Sequence, residues 1–395
     1  MIVFVCGGTY RIILSVTLRT WINLILLTLC FGGEVHAQNL SDTLNEVQVK
    51  GKKDEHGLQD IRIKGFTSGQ KISGIDSALL KLYKMQSAAQ LLSQQTPVFI
   101  RSYGFNGLAT LNFRGSSAAQ SQVYWNGIPI SNAALGIADI SLLPVAFMNN
   151  LNIVYGGSAA LLGSGNVGGA LMTETERPAF DSIARIGAEL GLGFGSYAQR
   201  QLAGKLSFRQ RRWFGAAAFI GQVAANNFTY TKDGKKVKTE NSELEGGSAM
   251  AQVGYKLNDK NLFRAIGWYQ KYDRNVPPAL FESYSVKNRR DASLKLLADW
   301  ENQTSRGKRY VKVSFISDDM KYEDTAAKLA TDNRSYQYYL EAGWQQFLSL
   351  RHKLLAFAPV HLLRMDLDTS IAMQRKFALA AAYKYRHLPG RLGVR

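Results

Sequence analysis

The chain has 395 residues, of which 46% are apolar and 11% aromatic, so it is long enough for sizeable cores and too aromatic for a disordered chain. Its 36 Gly and 8 Pro exclude a collagen-like chain, and two Cys exclude a disulfide framework. The five His show no metal-ligating spacing, so the composition predicts no resident metal or cofactor. The formal net charge is +18.

Residues 1–37 have the pattern of an export signal. Arg11 and Arg19 precede an apolar run over 21–31, and small residues lead to a cleavage site after Ala37. The run is shorter than the roughly 20 residues that a membrane-spanning helix needs, which argues against an anchor. The sequence therefore predicts a protein of the cell envelope.

The next segments in chain order predict a small mixed domain. A helix is expected at 87–95, with short strands at 98–101, 111–114 and 122–125. Asn126-Gly127 supplies the positive φ values of a tight hairpin turn. The connections at 102–109 and 131–138 are rich in Gly, Asn, Ser and Ala, so they are expected to be loops in which binding groups could sit.

Residues 155–169 are rich in glycine and contain a formal GxGxxG at 163–168. A dinucleotide site would need a long helix after this motif. The following residues, 170–175, read instead as a strand. We therefore interpret the glycines as positions for tight turns and for close packing of the domain against an enclosing wall, not for nucleotide binding.

Basic residues are concentrated after Pro178. Residues 179–395 carry 35 Lys and Arg against 20 Asp and Glu, whereas 38–178 carry 11 against 9. This change predicts a domain boundary near Pro178. An exported chain does not meet nucleic acid, so the excess indicates solvated loops, a charged lumen, or attraction to anionic lipid phosphates or an anionic cargo.

Residues 179–395 read as tilted antiparallel strands. Apolar side chains alternate with small or charged ones over about ten residues in each segment, as at 183–194, 201–209, 249–257 and 291–300. Short connectors, such as 258–260, alternate with long ones at 226–245, 273–289 and 321–333. A soluble sandwich would also alternate, but it would not place its long loops on one rim. The pattern therefore predicts about ten strands of a transmembrane barrel.

The order of the N-terminal motifs resembles the plug domain of TonB-dependent outer-membrane receptors. Residues 44–49 (LNEVQV) resemble the TonB box, and 112–115 (NFRG) resemble the strand that ends in Arg-Gly. Residues 123–129 (VYWNGIP) resemble the plug hairpin, with Asn126 where the family usually has Asp. Residues 155–169 resemble its glycine motif. From the residues alone, 44–49 could equally be the first strand of the domain.

The resemblance implies a mainly β chain, with a small α+β plug followed by antiparallel barrel strands. The expected organisation is a signal peptide at 1–37, a TonB-box segment at 38–50, the plug at 51–178 and a partial barrel at 179–395. Because barrels of such transporters have about 22 strands, we expect this chain to form an incomplete barrel with an open sheet.

The same resemblance implies a monomeric receptor in the outer membrane of a Gram-negative bacterium. It would take up a scarce ligand such as cobalamin, a siderophore or haem, with TonB, the small-molecule ligand and outer-membrane lipid as partners and without enzymatic chemistry. The expected TonB-binding residues are Leu44, Glu46, Val47, Gln48 and Val49. The expected ligand-binding residues are Tyr103, Phe105, Asn106, Ser131, Asn132 and Leu135.

Three alternatives stay open from sequence. A passive pore or structural barrel would share the strand pattern but would not depend on residues 44–49. A non-functional fragment of a receptor would keep the motifs without transport. A secreted enzyme on an all-β scaffold would turn over a substrate without any partner.

Overall fold

The computed structural model describes residues 60–63, 66, 71–102, 107–113, 115–156, 162–163, 165–177, 179–232, 234–279 and 281–385. The fold over these residues is mainly β, as predicted. No helix among them is long and apolar enough to cross a membrane. We call the described residues before Pro178 the plug and those after it the wall. Pro178 itself lies outside the described residues, and the exact domain boundaries stay predictions.

The described plug residues form two short helices and a mixed sheet. The helices are α1 (Ser77–Leu82) and α2 (Ala88–Gln95). The strands are β1 (Ile72–Gly74), β2 (Phe99–Ser102), β3 (Ala109–Asn112), β4 (Ser121–Trp125), β5 (Ile128–Pro129), β6 (Asn150–Tyr155) and β7 (Gly169–Glu174). Five of them form a sheet in the order β1-β6-β7-β4-β5, while β2 and β3 form a separate hairpin.

Helix α2 confirms the prediction at 87–95. Ser87 and Gln90 form a capping box, in which each side chain accepts a hydrogen bond from the other residue's backbone N–H. This arrangement satisfies N–H groups that the first helical turn leaves unpaired. Leu91 and Leu92 are fully buried on the inner side of the helix. Helix α1, with Asp76 as its N-cap, was not predicted from the sequence.

The hairpin between β4 and β5 confirms the turn predicted at Asn126-Gly127. Both residues have positive φ, of 50° and 85°, which fits a type I′ turn. The Asn126 carboxamide oxygen accepts hydrogen bonds from the backbone N–H and the hydroxyl of Thr175. Asn126 thus performs with its amide an acceptor role that the family's usual Asp could perform with a carboxylate.

The glycine-rich segment is followed by strand β7 and not by a helix, so it lacks the context of a dinucleotide site. A Cβ added to Gly168 would lie 2.3 Å from the Ser116 hydroxyl and 3.2 Å from the Phe113 side chain. The glycine therefore allows close packing within the plug; the predicted packing against an enclosing wall is wrong at this position.

Replacing Gly168 with Ala is expected to destabilise the plug by about 1–3 kcal/mol, because the added methyl group has no room between Ser116 and Phe113. Equilibrium unfolding of the full chain in detergent measures the change. Gly221→Ala is the control, since no atom lies within 4 Å of its added Cβ. Equal stability of the two variants would contradict the packing role of Gly168.

The wall is one curved antiparallel sheet. Its strands are β8 (Arg185–Phe194), β9 (Arg200–Arg209), β10 (Trp213–Ala224), β13 (Leu244–Lys256), β14 (Asn261–Val276), β15 (Lys287–Thr304), β16 (Gly307–Asp324), β17 (Leu329–Phe347), β18 (His352–Leu367), β19 (Ser370–Phe377) and β20 (Ala380–Tyr385). A separate hairpin, β11 (Thr229–Lys232) with β12 (Lys235–Lys238), extends from the connection after β10. Within the described residues the sheet does not close.

Strands β19 and β20 are two parts of one strand. Both pair with β18 in a single continuous register, in which Val360 faces Phe377 and Phe357 faces Ala380. The gap between them lies opposite Pro359, which has no N–H to donate to the ladder. Only the reverse bond remains, from Ala378 N–H to the Pro359 carbonyl. The wall therefore has ten strands in its described part, as predicted.

The outer face of the wall carries an apolar band between two ordered rows. One row is aromatic, where Trp213 faces Tyr255, Tyr255 faces Phe263 and Phe263 faces Trp300 across neighbouring strands. The other row contains cross-strand ion pairs, Asp273 with Arg290 and Lys321 with Asp332. Phe263 and Asp273 are ten residues apart on β14, a distance of about 34 Å along the strand. For a strand tilted as in a barrel, the height along the barrel axis is about 26 Å, which is close to that of the apolar band of outer-membrane barrels.

The connections are longer at one end of the wall than at the other. Residues 225–243 and 277–286 form what we call the long-loop rim, next to the row of ion pairs. The opposite, short-turn rim has connections such as 257–260 and 305–306. The long loop predicted at 321–333 is wrong: β16 and β17 continue through it and leave a turn at 325–328. Its alternating polar residues belong to strands that extend beyond the apolar band.

The main core lies between the plug and the inner face of the wall. Trp268 of β14 is 2% exposed, and its ring stands edge-on to Trp125 at 5.5 Å and to Phe147 at 5.9 Å. Ile266 and Leu297 join the same buried cluster from the wall. Plug and wall are thus packed as one body, and the plug occupies the concave side of the sheet.

Candidate functional site

A cleft lies between the plug loop after β5 and the inner face of β14–β16, toward the long-loop rim. Asn132 and Leu135, two of the residues predicted to bind the ligand, line it from the plug; their binding role stays a prediction. The other residues that line the cleft are Leu108, Ile130, Ile137, Ala138, Asp139, Leu142, Leu143, Gln270, Arg289, Asp291, Ala292, Ser293, Lys295, Asp318, Asp319 and Met320. The cleft has apolar plug residues on one side and a strongly polar wall on the other.

The predicted binding residues play different parts in this loop. The Asn132 amide oxygen accepts the backbone N–H groups of Ala134 and Leu135, so it fixes the turn that presents Leu135. The Ser131 hydroxyl donates to Gln122, and its carbonyl accepts from Gln337 of the wall. Ser131 therefore ties the loop down and does not line the cleft.

Eight of the residues predicted to bind the ligand or TonB cannot be placed. Tyr103, Phe105 and Asn106 lie outside the described residues, and so does the TonB-box segment with Leu44, Glu46, Val47, Gln48 and Val49. Their roles stay predictions.

A buried ion network beside the cleft joins the wall to the plug. Arg274 of β14 contacts Asp139 of the plug at 2.9 Å and Asp291 of the wall at 2.5 Å, and Arg289 contacts Asp291 at 2.8 Å. The other Asp139 oxygen accepts hydrogen bonds from the backbone N–H of Ala109 and from Ser141. Sequence analysis missed this network, because its members lie on separate segments with no shared motif.

The floor of the cleft offers both donors and acceptors. The Lys295 ammonium donates to the Ser293 hydroxyl at 2.6 Å and lies 4.6 Å from the centre of the Trp268 ring. Buried oxygen atoms of Gln270 and Asp318 have no hydrogen-bond partner among the described residues. Such acceptors are usually satisfied by water or by a ligand. The floor is therefore suited to a polar ligand that carries donor groups.

A second ion network lies nearer the short-turn rim. Arg62 of the plug is fully buried and contacts Asp60 at 2.6 Å and Glu341 of β17 at 2.8 Å. It also donates to the Gly127 carbonyl at 2.7 Å. Glu341 in turn accepts hydrogen bonds from the hydroxyls of Tyr310 and Tyr339. The guanidinium thus has acceptors on both the plug and the wall, and it holds the two together.

Charge keeps Asp60 ionised in this network. Burial would raise the pKa of Asp60, but the nearby charges of Arg62 and Lys312 outweigh it and hold the pKa below its ordinary value. Lys312 also donates to the Asn126 carbonyl at 3.0 Å. The Arg62 network therefore connects three parts of the structure: the plug hairpin, the first described residues and the wall.

Further ion pairs cross from the end of the plug to the wall. Glu176 contacts Lys205 and Arg209 of β9, both at 2.6 Å, and Arg177 contacts Glu301 of β15 at 2.7 Å. Among the described residues, no group of three or more His, Cys, Asp or Glu is placed to hold a metal ion. The arrangement is a polar cleft above a plug that ion pairs hold to the wall.

Comparisons with known proteins agree with this architecture. Residues 64–170 match the family described as TonB-dependent Receptor Plug Domain. The chain is 22% identical over 321 residues to the vitamin B12 transporter BtuB of Photobacterium profundum, covering 80% of this chain and 48% of that protein. It is 30% identical to BtuB of Vibrio cholerae over 123 residues, which are 31% of this chain and 20% of that protein.

Solved structures share the fold at low identity. A mutant of the ferric enterobactin receptor PfeA from Pseudomonas aeruginosa superposes with a TM-score of 0.65 at 11% identity, covering 84% of this chain and 57% of that chain. The copper transporter OprC gives a TM-score of 0.52 at 13% identity, covering 80% and 62%.

The match to the plug family and the BtuB relatives confirm the predicted resemblance to TonB-dependent receptors, and the solved structures share the fold. The described residues contain the matched plug domain followed by ten antiparallel strands of the barrel type. Among the receptors it is similar to the vitamin B12 transporter BtuB and to siderophore receptors, and it spans about half the length of the first of these relatives.

Proposed function

We propose that the chain is part of an outer-membrane receptor of a Gram-negative bacterium that takes up a scarce small ligand, energised by TonB. The observation that supports this most directly is the plug itself, which fills the concave side of the wall below a polar cleft. A stopper held by buried ion pairs needs work to be moved, and a partner protein that pulls on the chain would supply it. No covalent chemistry is required.

The cleft favours a polar ligand without a large net charge. Acidic residues Asp139, Asp291, Asp318 and Asp319 line it together with the basic residues Arg289 and Lys295, and Arg274 stands behind them. A strongly anionic chelate would meet a surface with no excess of cations. Cobalamin, which the curated relatives are named for transporting, is compatible with the charge of such a cleft, and an iron chelate of low charge is the other candidate.

We assign ligand contact first to Leu135, which is 39% exposed at the cleft, and to Asn132 beside it. Ser131 would act by holding the loop in place. Tyr103, Phe105 and Asn106 stay candidates on the neighbouring loop. Residues 44–49 would pair with TonB by adding a strand to it, through main-chain hydrogen bonds. The receptor would act as a monomer, in contact with outer-membrane lipid.

Deleting residues 44–49 from the receptor that contains this chain is expected to abolish uptake and leave ligand binding intact, because the segment serves energy transfer only. Growth on limiting cobalamin, in a host without its own cobalamin receptor, measures uptake; binding of labelled cobalamin to isolated membranes measures affinity. The matched control removes the preceding six residues, 38–43.

Transport that persists without residues 44–49, and in a host without TonB, would favour the passive pore. Loss of binding together with transport would contradict the separation of the two roles. Ferric chelates tested in the same host show which ligand class the cleft accepts.

A further inference from the structure

The hairpin formed by β11 and β12 is the most basic segment of the long-loop rim. Lys232, Lys235, Lys236 and Lys238 lie within it, with Asp233 as the single acidic residue of the segment in the sequence. All residues of β12 are exposed. We call the hairpin of β11 and β12, with these four side chains, the lysine hairpin.

The lysine hairpin is held in a defined place. Its strands pair from Thr229 with Lys238 to Lys232 with Lys235. At its base, the backbone N–H and the hydroxyl of Thr239 both donate to the Phe228 carbonyl. The Lys232 ammonium donates to the Glu282 carbonyl in the neighbouring loop at 3.1 Å. The three remaining ammonium groups are therefore presented from a fixed support.

The base of the lysine hairpin lies at the edge of the lipid-facing band. On the outer face of β8 and β10, Phe194 and Val223 face outward at the last apolar positions, 80% and 41% exposed. Directly beyond them, Phe228 stands edge-on to Tyr197, with ring centres 6.3 Å apart. Aromatic rings of this kind are typical of the boundary between hydrocarbon and headgroups. The lysine hairpin follows at the next level, where phosphates of a lipid leaflet lie.

The lysines do not face the ligand cleft. None of the hairpin residues is among those that line it. A cluster of cations that served an anionic ligand would be expected on that surface, together with Arg289 and Lys295. Its place beside the outer apolar band points to the membrane.

We propose that the lysine hairpin binds phosphate groups of the lipid leaflet that surrounds the long-loop rim. This inference rests on the membrane location given under the proposed function. Each exposed lysine next to an anionic leaflet strengthens association by roughly fivefold, so three lysines together account for on the order of a hundredfold. Salt weakens the attraction, because these charges are exposed.

The test uses the full chain in mixed micelles of neutral detergent and diphosphoryl lipid A, and measures how much lipid A is retained. The variant Lys235→Gln, Lys236→Gln, Lys238→Gln is expected to lose on the order of a hundredfold in affinity. The control, Arg211→Gln, Arg212→Gln, Lys260→Gln, removes the same charge from exposed side chains at the short-turn rim and is expected to retain wild-type affinity.

Several outcomes would overturn the proposal. An equal loss of lipid A affinity in both triple variants would indicate general charge attraction. Unchanged binding of lipid A from which the phosphates have been removed would indicate apolar packing alone. Full competition by inorganic phosphate would assign the site to a free anion. Because uptake is measured separately, loss of transport with intact lipid A binding would count against the proposed function and not against the lysine hairpin.

Discussion

Replacing Arg62 with Met is expected to destabilise the contact between plug and wall by about 3–5 kcal/mol, the cost of removing one partner from a buried ion network. Asp60 and Glu341 would both stay buried, and Glu341 is fully inaccessible. Met fills a similar volume, so the loss is chiefly electrostatic. Equilibrium unfolding of the full chain in detergent, together with the rate of proteolysis within the plug, measures the effect.

Arg185→Met is the matched control, because Arg185 forms an exposed pair with Asp181 and is expected to contribute no more than about 1 kcal/mol. The double variant Arg62→Met, Glu341→Gln should recover part of the stability, since one of the two remaining partners, Glu341, no longer carries a charge. If Arg62→Met were as stable as Arg185→Met, the network would have no part in holding the plug.

Replacing Trp268 with Ala is expected to cost about 3–5 kcal/mol, the usual range for truncating a large buried aromatic side chain. The ring is 2% exposed and fills the space between Trp125, Phe147 and the Lys295 ammonium. Its removal leaves a cavity between plug and wall and withdraws the ring face from a buried cation. The free energy of unfolding in detergent measures the loss.

Trp344→Ala is the control for the loss of an indole group from the wall. Trp344 lies on the outer face and is 37% exposed, so its removal leaves no internal cavity and should cost much less. Trp268→Phe should lie between wild type and Trp268→Ala, because it keeps a ring against Trp125. Similar losses at Trp268 and Trp344 would contradict a core located at the plug–wall contact.

Local features of the fold could be predicted from the sequence because short-range rules determine them. The Ser87 cap, the positive φ values of Asn126 and Gly127, and the alternation along β15 all depend on neighbouring residues. The extent of β16 and β17 could not be predicted, since polar alternation beyond the apolar band reads as a loop. Pairing with adjacent strands keeps those residues extended.

The candidate site was predictable only in part. The sequence singled out Asn132 and Leu135, which line the cleft, because a loop rich in small polar residues follows a hairpin turn; their binding role stays a prediction. The pairing of Arg62 with Glu341 was not predicted, because the two residues are 279 positions apart and neither belongs to a motif. Arg274 was missed for the same reason. Such contacts depend on which strands the plug faces, and a single sequence does not contain that information.

The carboxylate of Asp139 acts as a junction between two parts of the molecule. One oxygen contacts the Arg274 guanidinium of the wall, and the other accepts a hydrogen bond from the N–H of Ala109, the first residue of β3. Without the Arg274 contact, Asp139 would be held from the plug side alone, by Ala109 and Ser141. A change in the position of Arg274 at the cleft would therefore reach the first residue of β3 through one carboxylate.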